Sequence, residues 1–279
     1  MLIALLLAAS GVPPVSLPDT RVEHLASTKT GLSYRLHVSV PPDFAQREVR
    51  YPLVLLLDAD YSFPIAYAVA SHLRERSDLP DLIVVAIGYD GEPAYRRNRT
   101  RDYTPTHVPD GGYGPEFQRF SGGAPAFLGF IEHEVLPWLA GRYRTEPKPI
   151  LVGHSYGGLF ALWTAVTRPE LLAGVIAVSP SLWYDDHLLD RLERKSAARP
   201  IRMYAGVGDE ENPTMASDLK AFGQTFQERR KGVQAKFEVL SGETHNSVFP
   251  RALSNGLRFF WPRGTFPPSK APGTRPVGG

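Results

Sequence analysis

The stretch ILVGHSYGGLFALWTAV, residues 150–166, decides the fold. Ile150, Leu151 and Val152 are apolar and read as the end of a buried strand. Gly153-His154-Ser155-Tyr156-Gly157 follows and matches G-x-S-x-G. A serine that projects from a sharp strand-to-helix turn sits in strained backbone. Side chains two residues before and after it would clash, so glycine is used at both places. From Gly158 onward apolar residues recur at helical spacing. Such a turn also aims the first backbone N–H groups of the helix at any negative charge that develops beside the serine.

Outward from this motif, apolar strand-like runs alternate with helical patterns. Strands are expected at 52–58, 82–88, 150–152, 174–179, 201–205 and 235–240, and helices at 65–75, 126–143, 159–167, 216–230 and 252–261. The short continuous apolar runs suit strands covered on both faces. The alternation predicts an α/β fold with a mostly parallel central sheet flanked by helices on both faces. Two earlier strands, 21–27 and 32–40, read as an antiparallel hairpin leading into that sheet. Residues 89–123 show no periodicity and read as a long loop, either functional or disordered.

A serine hydroxyl needs a base. In this architecture the chain order is serine, acid, histidine. His245, in the loop after the last strand and before the last helix, has that position. His24 and His37 lie in the first strands, His107 in the long loop, His133 among helix charges and His187 in a polar segment. His154 adjoins the serine, but its side chain should diverge from it. The acid that orients the imidazole should follow the strand at 201–205. There Asp209, Glu210 and Glu211 compete, and spacing does not choose among them. An oxyanion hole needs two N–H donors. One is expected from Tyr156 and the second from Asp60 or Tyr61, after the strand at 52–58.

Composition narrows the classes. The chain has 279 residues, room for one large α/β domain. With 31 basic and 29 acidic residues there is no footprint for nucleic acid. The absence of cysteine excludes disulfides, thiol nucleophiles and thiolate metal sites. No cofactor or metal is implied. The start, MLIALLLAAS, is too short to span a bilayer and fits the apolar part of a signal peptide, although no Lys or Arg precedes it. Residues 1–19 are therefore expected to be a signal and leader, placing the protein in the periplasm or outside the cell. Read as a first strand or an anchoring helix, the same run leaves the chain cytoplasmic. The catalytic domain is expected over 20–262, with no stable membrane insertion, and 263–279 is a Pro/Gly-rich tail expected to be disordered.

Several segments in order resemble the esterase-D-like "putative esterase" family of α/β-hydrolases, nearest its siderophore (trilactone) esterase branch. They are VLLLDADYSF, RTRDYTPT, FIEHEVLPWLAGRYRT, LVGHSYGGLFALWT, SPSLWYDD, GVGDEENPTM and GETHNSVFPRAL, spread over about residues 30 to 261. The resemblance implies an α/β-hydrolase fold and a serine esterase acting on a small-molecule ester through Ser155 and His245. It implies Glu211 rather than Asp209 as the acid, and Asp60 as the second oxyanion donor. The family commonly has glycine where this chain has Ala59, which bears on the shape of that loop. The resemblance also puts the 89–123 segment beside the site. An arginine there, Arg101 or Arg99, would bind an anionic substrate, or would pin the loop through Asp102. Trp183 would wall the acyl site, or cap the core. The same serine could instead serve an acyltransferase, and the fold alone would also suit a non-catalytic binding protein.

Overall fold

The computed structural model describes residues 16–90 and 95–267. Eight strands form one sheet in the order β1-β2-β4-β3-β5-β6-β7-β8. They are β1 (Thr20–Ala26), β2 (Ser33–Ser39), β3 (Leu53–Leu56), β4 (Ile83–Tyr89), β5 (Ile150–His154), β6 (Gly174–Val178), β7 (Arg202–Gly208) and β8 (Ala235–Leu240). β1 and β2 pair antiparallel, and β2 joins β4 antiparallel. All pairs from β4 to β8 are parallel. This is the α/β-hydrolase arrangement expected from the alternating pattern.

The strand alternation divides the core in two. Val54 and Leu56 of β3 point to one face, where α1 (Ala59–Glu75) and α9 (Val248–Phe260) pack. Leu53 and Leu55 point to the other, covered by α4 (Ala124–Phe130), α6 (Tyr156–Thr167) and α8 (Pro213–Arg229). α9 buries Val248, Phe249, Ala252, Leu253, Leu257 and Phe260, the 3-and-4 spacing of a one-faced helix. Each large side chain buried there contributes roughly 1.5–3 kcal/mol. α8 starts where Asn212 caps it, its side chain accepting the Thr214 N–H at 3.1 Å, with Pro213 in the first turn.

Three expectations need correction. The segment 89–123 is not a structureless loop: it contains α2 (Tyr95–Tyr103) and the single turn α3 (Pro115–Gln118). α2 reads YRRNRTRDY and buries Asn98, Arg99 and Asp102, so hydrophobic periodicity could not reveal it. α1 starts at Ala59 and carries Pro64 inside it, rather than starting after the proline. A further helix, α7 (Tyr184–Lys195), was not expected; Asp185, Asp186 and His187 take left-handed backbone in its first turn. The helix expected at 126–143 is present, as α4, a π-turn over Ile131–Val135, and α5 (Leu136–Arg142). The expected leader falls mainly, and the expected tail mostly, on residues outside those described. Among the described residues no helix is long and apolar enough to cross a membrane.

Candidate active site

Ser155 stands between β5 and α6 with φ 58° and ψ −119°. A non-glycine residue held at positive φ costs about 1–3 kcal/mol, and such strain clusters at functional sites. The turn is held by Ser155 N–H donating to Val178 O at 2.9 Å, while Ser155 O accepts from Leu159 N–H at 2.9 Å and Ser181 N–H at 3.2 Å. Glycine at 153 is obligatory, because a Cβ there would lie 2.0 Å from Gly157 O. Ser155 is half-buried. The N–H of Tyr156, first residue of α6, belongs to the helix turn that has no intrahelical acceptor.

Two later strands bring the other groups to this end of the sheet. β7 ends in Gly206-Val207-Gly208, and a Cβ on Gly208 would meet Glu243 O at 1.9 Å, so only glycine lets the loop after β8 close down here. Glu211 then turns inward and its side chain is 1% exposed. Its Oε1 accepts from Ser179 Oγ at 2.6 Å and Gly208 N–H at 2.7 Å, and its Oε2 lies 2.6 Å from His245 Nδ1. Burial works against the charged carboxylate, but the bonds from His245, Ser179 and Gly208 outweigh it and hold the Glu211 carboxyl below its ordinary range. A carboxylate only accepts, so His245 Nδ1 carries hydrogen and Nε2 is left as the basic nitrogen. Asp209 is fully exposed and instead accepts the Gly242 N–H at 2.7 Å, tying the two loops together. The Glu210 backbone N–H donates to Glu243 O.

The floor under Ser155 is polar, which the sequence did not signal. Asp58, two residues beyond β3 and just before α1, takes left-handed backbone, and its side chain is 1% exposed. It accepts from Arg99 Nε at 2.7 Å, Arg99 Nη2 at 3.1 Å and Tyr95 OH at 3.0 Å. Arg99 also donates to His154 O at 3.2 Å and to Tyr113 OH at 2.6 Å. The same cluster thus holds the start of α1 and the back of the serine turn. His154 is buried as well. Its Nδ1 lies 3.1 Å from Tyr61 OH and its Nε2 2.8 Å from His245 O. Ser179, buried with φ 43°, was not foreseen either.

The remaining expected residues fall around this centre. Asp60 is the second residue of α1, so its N–H lies in the helix's first turn, while its side chain pairs with Arg35 at 2.9 Å on the surface. The Tyr61 N–H is directed at Asp58 O at 3.3 Å. The guanidinium of Arg101 is committed to Asp102, Nε to Oδ1 at 2.7 Å and Nη2 to Oδ2 at 3.0 Å. Both residues lie on α2, which Tyr34 OH of β2 ties to the sheet by donating to Asp102 Oδ2 at 2.9 Å, and an anionic substrate would have to compete for the same Arg101 N–H groups. Trp183 is 38% exposed, its ring centroid 6.0 Å from that of Tyr156, and Tyr113 lies 4.9 Å from Tyr156. Among the described residues, no group of three or more His, Asp or Glu side chains could hold a metal ion.

The family described as "Putative esterase" matches residues 27–260. The chain is 29% identical over 265 residues to the ferri-bacillibactin esterase BesA of Bacillus subtilis, covering 88% of this chain and 90% of that one. It is 30% identical to a siderophore enterobactin esterase of Emericella nidulans, covering 90% of this chain and 97% of the other. Among solved structures, the BES protein of Bacillus cereus superposes with a TM-score of 0.78 at 28% identity, covering 90% of this chain and 98% of that one. An IroE-like serine hydrolase of Shewanella oneidensis gives 0.77 at 28% identity, covering 86% and 79%.

Proposed function

The chain belongs to the "Putative esterase" family, and from that premise we propose a serine esterase that cleaves siderophore esters through an acyl-enzyme on Ser155. The observation that carries this reading is the bond of 2.6 Å from His245 Nδ1 to a buried Glu211, at the same end of the sheet as the strained Ser155 turn. The named relatives act on siderophore esters, which supports that substrate class.

Ser155 Oγ attacks the ester carbonyl carbon while His245 Nε2 takes its proton. Glu211 holds the ring in the needed tautomer and offsets the charge of the imidazolium. The N–H groups of Tyr156 and Asp60, each in the first turn of a helix, face the developing oxyanion. The imidazolium gives its proton to the leaving alkoxide. Water, deprotonated by His245, then attacks the acyl carbon, and as the carboxylic acid forms the imidazolium returns its proton to Ser155 Oγ, freeing both residues for the next turn. Trp183, beside Tyr156 at the rim, would border the acyl group. An exported protein, released from its leader, would meet such substrates outside the cytoplasm.

The test is hydrolysis of a chromogenic short-chain ester and of a tri-ester siderophore by purified protein, with and without fluorophosphonate. The expected result is stoichiometric labelling at Ser155, complete inhibition, and loss of roughly 10⁴-fold or more in kcat for Ser155→Ala. Undiminished hydrolysis by Ser155→Ala would overturn the mechanism.

A further inference from the structure

We propose that His154, the residue before the serine, is a positioning residue that holds the backbone of His245 and so aims its Nε2. The proposal rests on the serine-esterase reading above. His154 ends β5, in the centre of the sheet, and is 7% exposed. His245 sits in the loop between β8 and α9, where Ser241, Gly242, Thr244, Asn246 and Ser247 are all exposed. A base on so open a loop needs two fixed points to aim its ring. Glu211 supplies one, at Nδ1. The carbonyl of His245, 2.8 Å from His154 Nε2, supplies the other.

The hydrogen-bond directions follow from the partners. A carbonyl only accepts, so His154 Nε2 must carry hydrogen, which leaves Nδ1 of the neutral ring as an acceptor. Tyr61 OH carries the hydrogen it needs, 3.1 Å from Nδ1, and shares that one hydrogen with Asp58 Oδ2 at 3.3 Å. The chain therefore runs from Tyr61 on α1, through His154 on β5, to the backbone of His245. Phe249 packs against both Tyr61 and His154, at 5.5 and 5.7 Å between ring centroids, and closes the third side.

Neutrality of the ring matters because its centroid is 4.6 Å from that of His245. His245 must become a cation during each turnover, and a second cation at that distance would oppose it. Burial, the nearby His245 and Arg99 push the His154 ring down to about 4, and the bond to the His245 carbonyl and then Asp58 only partly offset them. At neutral pH the ring can donate to the carbonyl without contributing charge.

The test compares His154→Leu with His154→Gln, whose amide can still donate to the carbonyl. His154→Leu should lower kcat by about 30- to 100-fold, the scale of a misplaced catalytic group, with KM changed less than about threefold. His154→Gln should restore kcat to within about fivefold of the parent. The far-downfield proton resonance of His245 Nδ1–H against Glu211 should stay sharp in the parent and in His154→Gln, and broaden or vanish in His154→Leu. Equal loss in both variants with the resonance intact, or no loss in His154→Leu, would overturn the proposal. Should His154→Leu not fold, Tyr61→Phe carries the test, with an expected loss of about tenfold in kcat and a broadened resonance. An unaltered kcat and resonance in Tyr61→Phe would equally overturn it. The resonance reports the hold on His245 whichever nucleophile operates, so failure of the Ser155 reading would appear separately, as retained activity in Ser155→Ala.

Discussion

Asp58 and Glu211 are buried carboxylates on either side of the Ser155 strand in the sheet, and they do opposite work. Each side chain is 1% exposed. Each ends a parallel strand or the turn after it, Asp58 beyond β3 and Glu211 beyond β7. Asp58 faces a guanidinium that never loses its charge, so its compensation is permanent. Glu211 is held by neutral donors, Ser179 and Gly208, and faces the imidazole of His245. The first pair is a fixed strut between the β3–α1 turn, α2 and the serine turn. In the proposed mechanism the second stores negative potential that is fully used only when His245 becomes cationic. A buried acid against a permanent cation reads as scaffold, and one against a titrating partner reads as chemistry.

The contrast predicts its largest effect at Glu211. In Glu211→Gln the Gly208 N–H and Ser179 hydroxyl still demand an oxygen at the Oε1 position. The amide NH₂ must then face His245 Nδ1, turning that nitrogen into an acceptor and moving the hydrogen to Nε2, the wrong tautomer for a base. We expect kcat to fall by about 10³- to 10⁴-fold while the melting temperature shifts little. Retention of more than a tenth of the activity would break the distinction between the two acids.

Asp58→Asn should do the reverse. It leaves Arg99, 5% exposed, without its counter-charge. Removing one partner of a buried pair costs about 3–5 kcal/mol, which for a domain of this size lowers Tm by roughly 10 °C or more. The double variant Asp58→Asn with Arg99→Met should recover part of that loss in thermal melts. Recovery is the sharper observation, because a substrate-binding Arg99 would gain nothing from it.

A third effect belongs to His154, which lies between the two systems. Its ring titrates at about 4 when folded, chiefly through burial, against roughly 6.5 in an unfolded chain. Between those values the unfolded chain binds a proton that the folded one does not. Stability therefore falls as pH drops through that window, by on the order of 3 kcal/mol. Denaturant melts at pH 7 and pH 4.5 should show the parent losing about 2–3 kcal/mol more than His154→Gln. Equal losses would mean that the ring is not kept neutral.

The comparison also explains what could be read without coordinates. β3 to β7 announced themselves as short apolar runs, because both faces of the sheet are covered there and each strand needs apolar side chains on both sides; the edge strand β8, AKFEVL, is half-exposed and mixes charged with apolar residues. Ser155 and His245 could be singled out as candidates through motif and chain order. The Asp58–Arg99 strut was not, since its members are 41 positions apart and α2 buries charge rather than hydrocarbon. The choice of Glu211 over Asp209 was equally invisible to spacing. It depends on a reversal of the chain after Gly208 that points residue 209 outward and residue 211 inward. His154 carried no pattern at all; the return of the β8–α9 loop and the OH of Tyr61 on α1 give its ring its two partners.

Asp209 offers the smallest effect and the cleanest control on that reversal. It lies two residues from Glu211 on the same loop, yet its carboxylate is open to water and accepts from the Gly242 N–H and Ser241 hydroxyl of the facing loop and from its own backbone. Asn at this position keeps an acceptor oxygen for the Gly242 N–H and removes a charge that solvent already screens. Asp209→Asn should therefore leave kcat within about threefold of the parent, the range of an exposed surface change. A loss approaching that of Glu211→Gln would mean that the loop exchanges the two carboxylates in solution. In that case the Ser179 and Gly208 bonds to Glu211 would not be what selects the acid, and Ser179→Ala would be silent as well.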